Sequence, residues 1–94
     1  MASWWMPEKQ LMILRRMASG EVLLHDTRRD IYYWEANKKE RATPSAKALF
    51  RKMYIREDYY GREPDVARMS LTPTGNNEMG YNQHRTLNKP DDRQ

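Results

Sequence analysis

The chain has 94 residues, a mass of 11.3 kDa and no cysteine, with 32% of residues charged and 38% hydrophobic. That length fits one domain and excludes a two-domain enzyme with a cleft between its halves. Disulfides and thiolate zinc sites are ruled out, and no run of about 18 apolar residues exists to span a membrane. The start, Met1-Ala2-Ser3-Trp4-Trp5-Met6-Pro7, lacks the basic stretch and apolar core of a secretory leader. With no thiol to oxidise, the expected location is the reducing cytoplasm.

In chain order, residues 1–6 form an aromatic N-terminal segment, in which Trp4 and Trp5 either staple the following helix or dock on a partner. Pro7 suits a first helical position and Glu8 favours the positive end of a helix dipole. Leu11, Leu14 and Ala18 then recur at helical spacing, and Gly20 is the stop signal. The pattern predicts a helix over residues 7–19. Glu21-Val22-Leu23-Leu24-His25 and Ile31-Tyr32-Tyr33-Trp34-Glu35 read as two strands joined by the polar link Asp26–Asp30. The alternative is a helix capped by Thr27 and running to about Glu40. Consecutive bulky aromatic residues favour the hairpin.

Ala36 to Arg41 reads as a polar loop. Thr43-Pro44 then announces a second helix, threonine as cap and proline in the first turn, with Ala46, Leu49, Phe50 and Met53 as its buried stripe. Tyr54–Tyr59 and Val66–Leu71 are extended runs punctuated by Gly61 and Pro64, which predicts a second hairpin. Trp34 and Phe50 are the aromatic residues chosen for the core. The segment 76–94 is polar and nearly free of apolar residues, so it reads as a disordered tail. Residues 7–75 remain as the folded domain.

The net charge of +4 is unevenly placed. Between Arg41 and Arg56 lie Lys47, Arg51 and Lys52 and no acid, a distribution that suits a polyanion. A solvated helix face is the competing explanation for the same residues.

The order helix, strands, helix, hairpin resembles the winged-helix family. Three stretches carry the resemblance: Gln10 to Gly20 is similar to its first helix, Thr43 to Ile55 to the recognition helix entering the wing, and Met69-Ser70-Leu71-Thr72-Pro73-Thr74-Gly75 to the ending of the second wing strand. Two departures stand out. Met53 occupies a place where glycine is common, and a hairpin replaces the helix that ordinarily precedes the recognition helix. The reduced form resembles small phage and prophage proteins. The resemblance implies an α+β fold of helix, β-hairpin, helix and β-hairpin wing, with a disordered C-terminal tail. It further implies contact with double-stranded DNA through Arg41, Ser45, Lys47, Arg51, Lys52 and Arg56, with Arg62 and Arg68 of the wing reaching adjacent phosphates. Such a regulator is expected to act as a homodimer, since one helix makes few base contacts.

No catalytic constellation is present. His25-Asp26 stands without a second nearby histidine, His84 falls in the tail, and neither a nucleophile elbow nor a phosphate-cradling glycine loop occurs. The expected function is therefore non-enzymatic and free of metal or cofactor. The leading expectation is a phage-type transcriptional regulator, acting in the host cytoplasm if phage-encoded. The alternative is a small viral inhibitor of a host protein machine, of the anti-CRISPR or polymerase-directed type. It draws on the aromatic excess, with Trp4, Trp5, Tyr59 and Tyr60 as interface candidates, and on the acids Glu57, Asp58, Glu63 and Asp65, which would repel phosphate.

Overall fold

The structure, a computed structural model, describes residues 6–84. The first helix, α1, spans Glu8–Ala18 and buries Leu11, Ile13 and Leu14 on one face. Gly20 ends it in the left-handed region at φ +108°. The Gly20 amide donates to the Met17 carbonyl and the Glu21 amide to that of Arg16, which satisfies the last turn. Met6, just ahead of the helix, is fully buried in the core. Trp4 and Trp5 lie outside the described residues.

Five antiparallel strands form one sheet: β1 (Leu23–Asp26), β2 (Ile31–Trp34), β3 (Asn37–Arg41), β4 (Ile55–Asp58) and β5 (Val66–Leu71), in the order β3-β2-β1-β5-β4. Residues 27–40 are thus not a helix. The turn between β1 and β2 is an Asp26 construction. Its carboxylate accepts from the amides of Arg28 and Arg29, and its carbonyl accepts from Asp30, which sits at φ +58°. The segment Ala36–Arg41 was expected to be loop, yet Asn37–Arg41 is an edge strand in which every residue is exposed, Asn37 pairing with Trp34 and Arg41 with Tyr33 across a register shift that leaves residues 38–40 bulged. An edge strand wet on both faces needs no apolar alternation, so nothing in its composition marks it.

Strand alternation gives the sheet two faces. Leu23, Tyr32, Trp34, Ile55 and Met69 join α1 in the main core. Leu24 and Tyr33, paired across β1 and β2, point the other way and are nonetheless buried. The link between β4 and β5, residues 59–65, supplies their cover. The Tyr60 hydroxyl donates to Glu35 at 2.7 Å, Arg62 reaches the same carboxylate at 3.5 Å, and Lys38 meets Glu63 at 3.3 Å. The amide and hydroxyl of Thr27 both donate to the Asp65 carbonyl, at 2.8 and 2.9 Å. The second hairpin therefore does not project as a free wing: its loop is strapped across the back of the sheet.

The second helix, α2, spans Thr43–Arg51 and inserts Ala46 and Leu49 between α1 and the sheet. Three expectations need correction here. Thr43 is not the cap: Ala42 holds that position, and the Thr43 hydroxyl instead accepts from the Tyr32 amide at 3.0 Å, tying the helix start to β2. Phe50 is not core but 40% exposed, because it lies to one side of the stripe set by Ala46 and Leu49. Met53 is not part of the stripe either: it follows the end of α2 and is exposed. Trp34 is core as expected, capped by the Arg16 guanidinium 3.9 Å from its ring centre.

The domain also continues past residue 75. A third helix, α3 (Pro73–Tyr81), occupies part of the expected tail and rests on α1, where Arg15 donates to the Asn82 and Gln83 carbonyls. The Leu71-Thr72-Pro73-Thr74-Gly75 stretch gains a physical meaning. The Thr72 hydroxyl caps α3 by accepting from the Gly75 amide, and it donates to the Met53 carbonyl at 2.7 Å. Gly75 is obligatory, since a Cβ there would collide with the Tyr54 carbonyl. Met53 holds φ +64°, which explains why glycine suits that position.

Two substitutions test this corner. Gly75→Ala should cost about 1–3 kcal/mol in urea denaturation by forcing α3 away from Tyr54. Met53→Gly should stabilise by about 1 kcal/mol through relief of the left-handed side chain. A neutral Gly75→Ala would show that α3 is not seated there.

Candidate functional site

The helical period turns Pro44, Lys47, Ala48 and Arg51 of α2 away from the buried pair Ala46 and Leu49. What fixes this face is a polar chain beneath it. His25, on β1, is buried and stacks on Tyr32 with ring centres 4.1 Å apart and planes nearly parallel. Its Nδ1 lies 2.6 Å from Glu57 of β4, and its Nε2 lies 3.0 Å from Asp30 of the β1–β2 turn. The other oxygen of Asp30 meets the Lys47 ammonium at 2.7 Å. Both ring nitrogens face carboxylate oxygens, which fix the orientation of the ring. Glu57, His25, Asp30 and Lys47 thus link two strands, a turn and a helix in one run of charge-assisted contacts.

The electrostatic consequences follow from that geometry. The hydrogen bond from Lys47, and next the one from His25, hold the Asp30 carboxyl below its ordinary value of 3.8. Burial pushes the Tyr32 hydroxyl up to about 12, with Asp30 and Glu57 adding to the effect. On α1, the hydrogen bonds that Arg16 donates to Glu40 and Glu21 raise its guanidinium above the ordinary value and hold it over Trp34.

The residues expected to contact DNA divide between two sides of the molecule. Arg51 is exposed and meets no carboxylate among the described residues, whereas Lys47 is half-buried and held by Asp30. Arg41 and Ser45 line an open groove of about 890 Å³ between α1 and the start of α2, together with Lys9, Met12, Ile13 and Arg16. Lys52 turns back to donate to Gln10 at 3.1 Å and bolts the end of α2 to α1. Arg56 and Arg68 project from the opposite face of the sheet, registered with Ser70 and Leu24. Arg62 belongs to the strap. Of the interface candidates, Tyr59 is 89% exposed, while the Tyr60 hydroxyl is engaged by Glu35.

Sequence reasoning set His25 aside as an isolated histidine, counted Glu57 only among the acids of the second hairpin, and gave Asp30 no role in a site. The available signal was a histidine closing the apolar run Val22-Leu23-Leu24, a place where a polar side chain needs buried partners. Among the described residues no group of histidine and carboxylate side chains is arranged to hold a metal ion, and no helix is long and apolar enough to cross a membrane. Comparison with protein-family models, characterised proteins and solved structures gives no match to this chain.

The polar chain makes a pH prediction. A carboxyl depressed in the folded state contributes stability above its unfolded value and loses it as pH falls through the folded one. Asp30→Asn should therefore lower Tm at neutral pH, and the gap from the unsubstituted protein should close as pH drops below 3.8. Thermal denaturation followed from about pH 7 to about pH 2 checks this. A gap that stays constant through that range would remove Asp30 from the network.

Proposed function

We propose that the protein is a non-enzymatic binder of double-stranded DNA, a regulator of winged-helix-like design that presents α2 to the major groove. The observation that carries the reading is the outward face of α2. It offers Arg51 without a carboxylate partner, and Lys47 in a fixed position one helical turn away. Lys9 and Arg41 border the first turn of the same helix and also meet no carboxylate among the described residues. Basic residues on and around one exposed helix are the footprint expected of phosphate and guanine contact.

The strap changes how such a protein would bind. Arg62 is engaged by Glu35, and Arg56 and Arg68 face away from α2, so the affinity rests on the helix and its immediate border. Few contacts mean modest affinity per chain, which favours two copies on a site with two half-sites. Asp30 competes with phosphate for Lys47.

Fluorescence anisotropy with a generic duplex, titrated from about 50 to about 200 mM salt, tests the proposal. Contacts from Lys9, Arg41 and Arg51 give a log–log slope near about −3. Arg51→Ala should weaken binding and flatten the slope by about one unit, while Asp30→Asn should strengthen binding by freeing Lys47. No binding at the low-salt end, or binding indifferent to Arg51, would overturn the assignment.

A further inference from the structure

The edge of the sheet at β3 carries a second surface, which shares Lys9 and Arg41 with the border of α2 but not Arg51. β3 has a strand partner on one side only and is bulged between Asn37 and Arg41, with the Lys39 amide donating to the Asn37 side chain at 3.1 Å, and all of Asn37–Arg41 is exposed. Its charges are not balanced locally. Glu40 is taken by Arg16 at 2.7 Å and Lys38 by Glu63 at 3.3 Å. Lys39 and Arg41 are left without a carboxylate partner among the described residues. Immediately beside the strand end runs the groove of about 890 Å³, within the size range that seats ligand side chains, with Met12, Ile13, Ala42 and Pro44 on its apolar walls and Lys9 at its rim.

These features select one kind of occupant. An exposed basic segment attracts carboxylates of an extended peptide, while an adjoining hollow takes a side chain and supplies specificity. Like charges opposed across two strands are destabilising, so the Lys38-Lys39…Arg41 edge disfavours a second copy of itself. Acidic residues at the same places are favoured. Trp34 lines the groove, but its ring is 2% exposed with the Arg16 guanidinium already over it, so it gives a base little face to stack on. Its methionine and aliphatic lining instead suits a flexible apolar anchor. We infer that β3 and the α1–α2 groove form a docking site for an acidic, extended segment of a protein partner. That segment runs along β3, sets carboxylates against Lys39 and Arg41, and places an apolar side chain in the groove.

The test uses the full chain, labelled with ¹⁵N, and a blocked synthetic peptide of about eight alternating Glu and Leu residues as the probe. Amide shifts should concentrate at residues 37–42 and along 9–16. A lysine–leucine peptide of equal length should leave the spectrum unchanged. Lys39→Glu combined with Arg41→Glu should weaken the Glu–Leu peptide by about tenfold or more while keeping a folded spectrum. Arg51→Ala should bind it as the unsubstituted protein does, which separates this site from the DNA reading. The inference fails if the peptide gives no shifts at about 1 mM, a concentration that detects even weak binding. It fails equally if the shifts map elsewhere, if the lysine peptide binds as well, or if a thymidine oligonucleotide shifts the same residues at lower concentration.

Discussion

The structure depends on β1 being buried on both faces. The strand lies in the middle of five, with Leu23 and His25 toward the helices and Leu24 and Asp26 toward the back. A fully buried leucine is worth about 1.5–3 kcal/mol, but only if something excludes water from it. Three helices gather on one side, so the other face needs a different cover, and the longest link between elements among the described residues is 59–65. The strap follows from that need. Glu35 and Thr27 hold it at its two ends, and Leu24 and Tyr33 are sealed beneath it.

The other face of β1 transmits order to the helix that carries the proposed function. His25 replaces the apolar residue that alternation would place there, and its two nitrogens engage carboxylates from β4 and from the β1–β2 turn. A buried imidazole deprived of either partner would be costly, so sheet, turn and α2 are held in one arrangement. Asp30 is the hinge of this arrangement because its two oxygens engage different partners, His25 and Lys47. The same carboxylate that positions Lys47 lowers its charge toward any incoming phosphate, so fixing the helix and leaving it fully charged are in tension.

Much of the fold was legible where local signals suffice. The spacing of Leu11 and Leu14, the stop at Gly20, the aromatic strand Ile31–Trp34 and the Thr43-Pro44 helix start all lie within a few residues of what they specify. The elements that escaped have other causes. β3 buries no side chain, so its sequence carries no alternation. α3 is polar and is seated by the absence of a side chain at Gly75 rather than by an apolar stripe. The strap is held by Tyr60 to Glu35 and Asp65 to Thr27, pairings 25 and 38 residues apart. His25 looked isolated for the same reason, since Glu57 is 32 residues away. Of the candidate site, the α2 residues were readable from charge and period. The carboxylate that restrains one of them, and the separation of Arg56 and Arg68 from the rest, depend on tertiary pairing.

The central claim is that the loop of the second hairpin is committed to the back of the sheet, which leaves the proposed recognition to the α2 side and the β3 edge. Nuclear Overhauser contacts of the Tyr60 ring test it most directly, because the Tyr60 hydroxyl of the loop donates to Glu35, beyond the far end of β2. The account predicts contacts from the Tyr60 ring to the Glu35 side chain. A Tyr60 ring in contact only with its own hairpin, with the sheet intact, would mean that the loop stands off the sheet as an open wing, and the account would be wrong.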